Sequence, residues 1–419
     1  MTERGRAGRL LARLTGQWHL ERLASVEEKV GKFGRAQREE LAAQRQRLDE
    51  LTATLATRAS ADALEKMQRR LEDVHISLAQ QDRAFSETLE RARLLDEQGV
   101  DDRRLARRVE EFLRHDRPLI VGPWTGEVGF ELLYWVPFVH RMVAAYGIPK
   151  DRLLVVSRGG VASWYGGLAT RYADVFSFFS TDEFRTATES KKKQRLVGAF
   201  DAEVVKRVVA AHKLGRADLL HPGMMYRLFM PVWKDLATLS RVDKYASYRH
   251  IGLADGPVPP DLPESYVAAR FYFSECFPDT PANRAFVAST IDTISQHTPV
   301  VLLNTPFAAD DHHDFDASGD RVHTIGNQYM APEQNLAVQT AVLARASAFV
   351  GTYGGYSYLA PFCGVPSLAF YSQRTFKDQH LHVAQRAFEQ LGGATLVAID
   401  VANVALVRLA LAHGTVSAP

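Results

Sequence analysis

From Pro118 onward the chain alternates short apolar runs with amphipathic stretches at helical spacing, and that alternation confines it to few folds. Strands joined through helices can pair in parallel, with the helices covering both faces of the sheet. The pattern predicts strands at 118–124 (PLIVGPW), 152–158 (RLLVVSR) and 174–180. It predicts a helix over 131–146, with Leu132, Val136, Val139 and Val143 on one face. Residues 181–245 read as mainly helical. A second block has predicted strands at 267–274, 299–305, 321–326, 348–352, 367–371 and 395–400. Its helices are predicted at 281–297, 332–346, 380–391 and near the C-terminus. Between the blocks, 253–263 (LADGPVPPDLP) carries four prolines and reads as an interdomain linker. The expected fold is α/β, with two Rossmann-like domains at 116–255 and 264–419 and a ligand crevice between them.

Residues 1–115 differ in kind: rich in Arg, Glu, Gln, Leu and Ala, and without proline. Leu41, Leu48, Leu51 and Leu55 fit a heptad, and a second register runs through Leu64, Met67, Leu71, Val74, Leu78 and Phe85 after a break at 58–62. That pattern predicts a coiled coil with a discontinuity, or a helical hairpin. A narrow apolar stripe needs cover, so homo-oligomerisation or docking on the body is expected. Near the start, Leu10, Leu14 and Trp18 recur at helical spacing among Arg6, Arg9 and Arg13, a pattern suited to peripheral contact with an anionic membrane or to a solvated helix.

A formal net charge of +2 gives no global electrostatic reason to expect nucleic acid as a partner. The two cysteines, Cys276 and Cys363, lie far apart and in no metal-ligand spacing, which points to a reducing compartment and core roles. With no apolar run of membrane-spanning length and no secretory signal, the expectation is a cytoplasmic protein, at the inner face of the membrane if the N-terminus binds there. The loop 310–316 (DDHHDFD) crowds acids and imidazoles, but adjacent His312 and His313 do not converge on one ion in a regular element, and no metal is assigned.

Chemistry concentrates in two segments. In 348–371 (AFVGTYGGYSYLAPFCGVPSLAFY) a buried strand ends at Thr352, Gly354 and Gly355 turn the chain, and a helix begins near Ser357. Glycines before a helix N-terminus let an anion approach unpaired N–H groups. Thr352 or Ser357 can add a hydroxyl, and Tyr353 or Tyr356 can stack on a base or sugar. The second segment is 122–131 (GPWTGEVGFE), a glycine-rich loop with two acids between a strand and a helix. Trp124 there fits an acceptor platform or the core equally well. Arg270 and Tyr272 end the first strand of the second block, Asn304 and Thr305 end the next, and Glu333 opens a helix. In an open parallel sheet these are ligand-facing positions.

The run Pro332–Tyr371 resembles the donor-binding half of GT-B glycosyltransferases of the heptosyltransferase-like and fucosyltransferase-like groups. It departs at Tyr353-Gly354-Gly355, where heptosyltransferases carry an acid or amide followed by Ser-Gly, so the donor sugar does not transfer. The resemblance is close over that run, and elsewhere in the second domain it is one of element order. It implies a nucleotide-sugar donor with no separate cofactor, its diphosphate against the glycine turn, and a glycan or glycolipid acceptor. It also implies that a carboxylate just after the first strand acts as base, which selects Glu127, with Glu131 as its rival. Glu131 alternatively stabilises the first turn of its helix. Polysaccharide pyruvyl transfer, nucleotide-sugar epimerisation and a non-catalytic coiled-coil scaffold are the competing functions.

Overall fold

A computed structural model describes residues 39–53, 61–168, 170–189, 194–252, 258–307 and 312–404. The amphipathic stretch 6–18, the break at 58–60, the start of the linker at 253–257 and the expected C-terminal helix past 404 lie outside the described residues. The chain divides into two compact units, Met1–Arg93 and Leu94–Pro419.

The first unit is helical over 39–53, and the helix Ala61–Arg114 begins in it. Its sheltered positions include Leu41, Leu48, Met67, Leu71, Leu78 and Phe85. Leu51 and Val74, placed by the heptad reading on the apolar seam, are exposed instead, Leu51 at 60%. The stripe from Leu71 repeats every seventh residue and omits the intermediate position, so it is narrower than a full a/d seam.

In the second unit four parallel strands form a first sheet: β1 (Leu119–Val121), β2 (Leu153–Ser157), β3 (Tyr172–Asp174) and β4 (Asp218–Leu220), in the order β3-β2-β1-β4. Ile120 faces one apolar cluster, while Leu119 and Val121 face the other. Both faces are therefore buried, as a parallel sheet requires. The predicted strand at 174–180 is displaced. Asp174 ends β3 because its carboxylate accepts from Phe176 N at 2.9 Å and starts a 3₁₀ turn. Strand β4 interrupts the region read as helical.

The second lobe is built on β5 (Val267–Arg270), β7 (Val300–Leu302), β9 (Val322–Thr324), β10 (Ala348–Thr352), β11 (Ser367–Tyr371) and β12 (Leu396–Asp400). They form a parallel sheet in the order β12-β11-β10-β5-β7-β9. The predicted strand 267–274 splits, because the chain leaves this sheet at Phe271 and pairs β6 (Tyr272–Phe273) antiparallel with β8 (His313–Asp314). Each large sheet reverses its strand order once, between β1 and β4 in the first and between β5 and β10 in the second. A crevice for ligand opens beyond the carboxyl ends of strands at such a reversal.

The end of the helix Ala61–Arg114 docks on the first lobe. Leu105, Val109 and Phe112 are buried in its core, and Asp102 takes Arg241 at 2.9 Å and Lys244 at 2.7 Å. Among the described residues no helix is long and apolar enough to cross a membrane.

Candidate functional site

The loop after β1 is held by its neighbours. Gly122 has φ 126°, and a β-carbon there would strike the Val156 carbonyl oxygen, so only glycine fits. Trp124 N donates to that carbonyl at 2.9 Å. Gln194 then clamps the loop: its Oε1 accepts from Thr125 N at 2.9 Å and its Nε2 donates to Pro123 O at 2.9 Å. The same amide donates to Asp201 at 3.0 Å, and Asp201 also accepts from Gly198 N and faces His221 Nε2 at 3.3 Å. Gly223 N donates to His221 Nδ1 at 3.0 Å, which puts the ring proton on Nε2 toward Asp201. Arg158 Nη2 donates to the Gly126 carbonyl at 2.5 Å.

Glu127 follows in an extended conformation, exposed, just before the helical turn Val128–Phe130. The Tyr226 hydroxyl is held well above its ordinary range by burial and next by the Glu127 charge. Trp124 is fully buried between Trp135 and Tyr226, with ring centroids 6.1 and 6.2 Å away. It packs in the core and offers no open platform.

Glu131 begins a π turn, Glu131–Trp135, that leads into the α-helix Val136–Tyr146. Pro137 has no N–H to return to the Leu133 carbonyl, which accepts from the Tyr248 hydroxyl at 3.2 Å instead. The Glu131 carboxylate is 0% exposed. Its Oε1 accepts from Ser157 Oγ at 2.6 Å and from the Tyr165 hydroxyl at 2.8 Å, and its Oε2 meets Arg158 Nη1 at 3.3 Å. Burial pushes its carboxyl up to about 7, against the opposing pull of Arg158 and the two hydroxyls.

In the second lobe, Thr352 Oγ1 accepts from Tyr272 N at 3.0 Å and donates to Tyr272 O at 2.9 Å, tying β10 to β6. A β-carbon on Gly354 would collide with the Tyr272 hydroxyl. The helix Gly355–Phe362 follows, and Ser357 Oγ caps it by accepting from Gly354 N at 3.1 Å and donating to Gly354 O at 2.7 Å. Tyr353 is buried, its hydroxyl accepting from Tyr358 at 2.6 Å. The Arg270 guanidinium lies 4.3 Å from the centre of the Tyr356 ring and forks onto Asp314 at 3.0 and 3.2 Å. Asp314 also accepts from Thr305 N at 3.1 Å, while Asn304 Nδ2 donates to Phe315 O and Asp316.

Arg270, Tyr272, Thr305 and Tyr356 thus gather around the ends of β5, β7 and β10. The hydroxyls of Thr352 and Ser357 serve the backbone. Glu333 is exposed and its carbonyl lies beside Gly160, at a separate contact between the lobes.

The two glycine segments meet. A β-carbon on Gly355 would lie 3.0 Å from both Gly129 N and Val128 Cβ, and one on Gly129 would lie 3.4 Å from Gly355 Cα. The turn after Glu127 is therefore seated on the start of the helix Gly355–Phe362. Sequence reasoning passed over Arg158 and Gln194, and weighed Asp314 only as part of the acid- and imidazole-rich loop 310–316. A signal for the first was present in Ser157-Arg158-Gly159-Gly160, a strand end followed by two glycines, as after β10.

No family model and no curated protein matches the chain. Its fold is similar to solved glycosyltransferases. An iron-containing dodecameric glycosyltransferase, TibC, from enterotoxigenic E. coli is 14% identical with a TM-score of 0.34, over 61% of this chain and 59% of that one. E. coli heptosyltransferase WaaC, solved with ADP, is 13% identical with a TM-score of 0.35, over 71% of this chain and 100% of that one. A family 9 glycosyl transferase from Veillonella parvula is 15% identical with a TM-score of 0.34, over 60% and 80%. The match thus spans under two thirds of TibC, and at these scores no residue of theirs is carried onto this chain.

Proposed function

We propose that this chain is an inverting glycosyltransferase of the GT-B type, moving a sugar from a nucleotide-sugar donor to a glycan or glycolipid acceptor. One observation supports the reading: an exposed carboxylate, Glu127, follows β1 beside one strand reversal, two residues before Gly129, which packs on Gly355 after β10 beside the other. In this mechanism the acceptor hydroxyl gives its proton to Glu127 as its oxygen bonds to the donor's anomeric carbon. The bond from that carbon to the diphosphate breaks on the opposite face, and the nucleoside diphosphate leaves with the electron pair. Transition-state charge develops as in glycoside hydrolysis.

The leaving group's negative charge needs a preorganised positive counterpart. The N-terminal turn of the helix Gly355–Phe362 supplies a dipole, and Arg270 supplies a cation that a diphosphate must win from Asp314. No cofactor or metal is assigned in this mechanism. The N-terminal helices, in turn, are proposed to join copies of the chain.

The test has two parts. A panel of UDP, GDP, ADP, TDP and CMP should yield at least one nucleotide that raises the melting temperature, since a ligand at 100 times its Kd stabilises by about 2.7 kcal/mol. With the matching nucleotide sugar, Glu127→Gln should lower kcat by roughly 10²- to 10⁴-fold while keeping the thermal shift. Turnover at the parental rate would remove Glu127 from the role of base, and a panel with no responding nucleotide would end the transferase reading.

A further inference from the structure

We infer that Arg158 is a positioning residue that fixes the loop carrying Glu127, with Glu131 as its buried counter-ion rather than a second base. The inference rests on the reading of Glu127 as base.

Arg158 directly follows β2, 8% exposed, and its guanidinium bridges two targets. Nη1 meets Glu131 Oε2 at 3.3 Å, and Nη2 donates to the Gly126 carbonyl at 2.5 Å. That carbonyl belongs to the peptide unit joining Gly126 to Glu127, so its direction sets the plane from which the Glu127 side chain departs. Glycine brings no restriction of its own at 126, and the orientation must come from outside the loop. Gln194 holds the preceding peptide groups at Thr125 N and Pro123 O. Two long side chains from connections far apart in the chain thus fix the backbone up to the residue before Glu127.

Glu131 has no route to a substrate, being wholly enclosed with both oxygens engaged by Ser157, Tyr165 and Arg158. A buried ion pair adds little stability over apolar packing. What this pair provides is a cation held rigidly under one particular carbonyl, and the fork of arginine suits it to serve two targets at once. Arg158 also precedes Gly159, whose carbonyl accepts from Ala337 N in the second lobe at 2.8 Å, so the strap sits on the element that registers the lobes.

The test compares Arg158→Met, Arg158→Lys, Glu131→Gln and Glu127→Gln in the full chain. One readout is nucleoside diphosphate released from the responding nucleotide sugar, and the other is amide hydrogen exchange. Displacing a reacting group by about 1 Å lowers rates by ~10²-fold. Arg158→Met is therefore expected to lower kcat by about that factor with KM for the nucleotide sugar within about threefold. Exchange should quicken at amides 124–130 while 353–358 stay as in the parent. Arg158→Lys, which keeps the charge and one contact at a time, should fall between the two, and it stands in if the methionine variant does not fold. Glu131→Gln should lose less than Glu127→Gln.

Unchanged exchange at 124–130 in Arg158→Lys and Arg158→Met would overturn the strap. A loss in Glu131→Gln equal to that in Glu127→Gln would overturn the counter-ion assignment. If Glu127→Gln turns over at the parental rate, the base reading fails by itself, and the exchange data still decide whether Arg158 holds the loop.

Discussion

Glu131 is a carboxylate paired and hydrogen-bonded, yet it holds a proton more tightly than a free carboxyl, because enclosure outweighs its partners and pushes the group from 4.5 up to about 7. The consequence for stability has a definite sign. Between those two values the folded chain keeps a proton that the unfolded chain releases, so stability falls as pH rises through the window and is level above it. Relative to Glu131→Gln, the parent should lose on the order of 3 kcal/mol between pH 5 and pH 8. Urea midpoints of the two proteins at both pH values measure this, and a gap that does not move with pH would show that Arg158 compensates fully. None of this was legible at the residue level, since Arg158 and Gly126 are 32 positions apart and no local pattern joins them. Glu127 could be singled out as a candidate because an acid between glycines after a strand is a local pattern. The pairing of Arg270 with Asp314 was hidden for the same reason as Arg158, by a separation of 44 positions.

At the scale of elements, periodicity served best where a strand is buried on both faces and bounded by turn residues. Strands β10 and β11 coincide with the apolar runs 348–352 and 367–371 that predict them. It failed where structure is set by one side chain or by very short pairing. Asp174 halts β3 by capping, and β4 is only three residues long, too brief to show an alternation. The heptad reading found the long helix but treated all of it alike. Its end is anchored by Leu105, 1% exposed, whereas Leu51 in the other unit stands in solvent. Leu105→Ala should therefore destabilise by about 2–5 kcal/mol, and Leu51→Ala by no more than about 0.5 kcal/mol. Chemical denaturation of both variants checks the contrast, and similar shifts would mean that the helix end is not part of the folded body.

For the whole of Leu94–Pro419, the two lobes share one continuous apolar cluster, running from Leu105 and Trp135 through Phe271 and Leu302 to Phe388. Specific contacts add to it: the Tyr134 hydroxyl lies 2.7 Å from His380 Nδ1, Trp164 Nε1 donates to Thr340 Oγ1 at 3.0 Å, and Arg386 forks onto Asp243. Interfaces between domains are commonly more polar and looser than this. The two lobes should therefore unfold together. Four of the five tryptophans, Trp124, Trp135, Trp164 and Trp233, lie in the first lobe, so in a Trp18→Phe variant tryptophan fluorescence reports that lobe while far-UV circular dichroism reports both. Coincident urea transitions by the two probes are expected, and separated midpoints would mean that the lobes melt independently. The linker's prolines announced two blocks of chain, but the shared core could not be read from them, because it depends on which faces of distant helices end up opposed.

The meeting of Gly129 with Gly355 leaves a joint with less clearance than one methyl group. An alanine at either position acts as a shim. It would tilt one half of the molecule against the other by a few tenths of an ångström, beside the acid assigned the proton, and leave every strand intact. Tolerance to change is thus narrow at a joint between the lobes and not only in the deepest interior. Two residues without side chains set the distance across which donor and acceptor would have to meet.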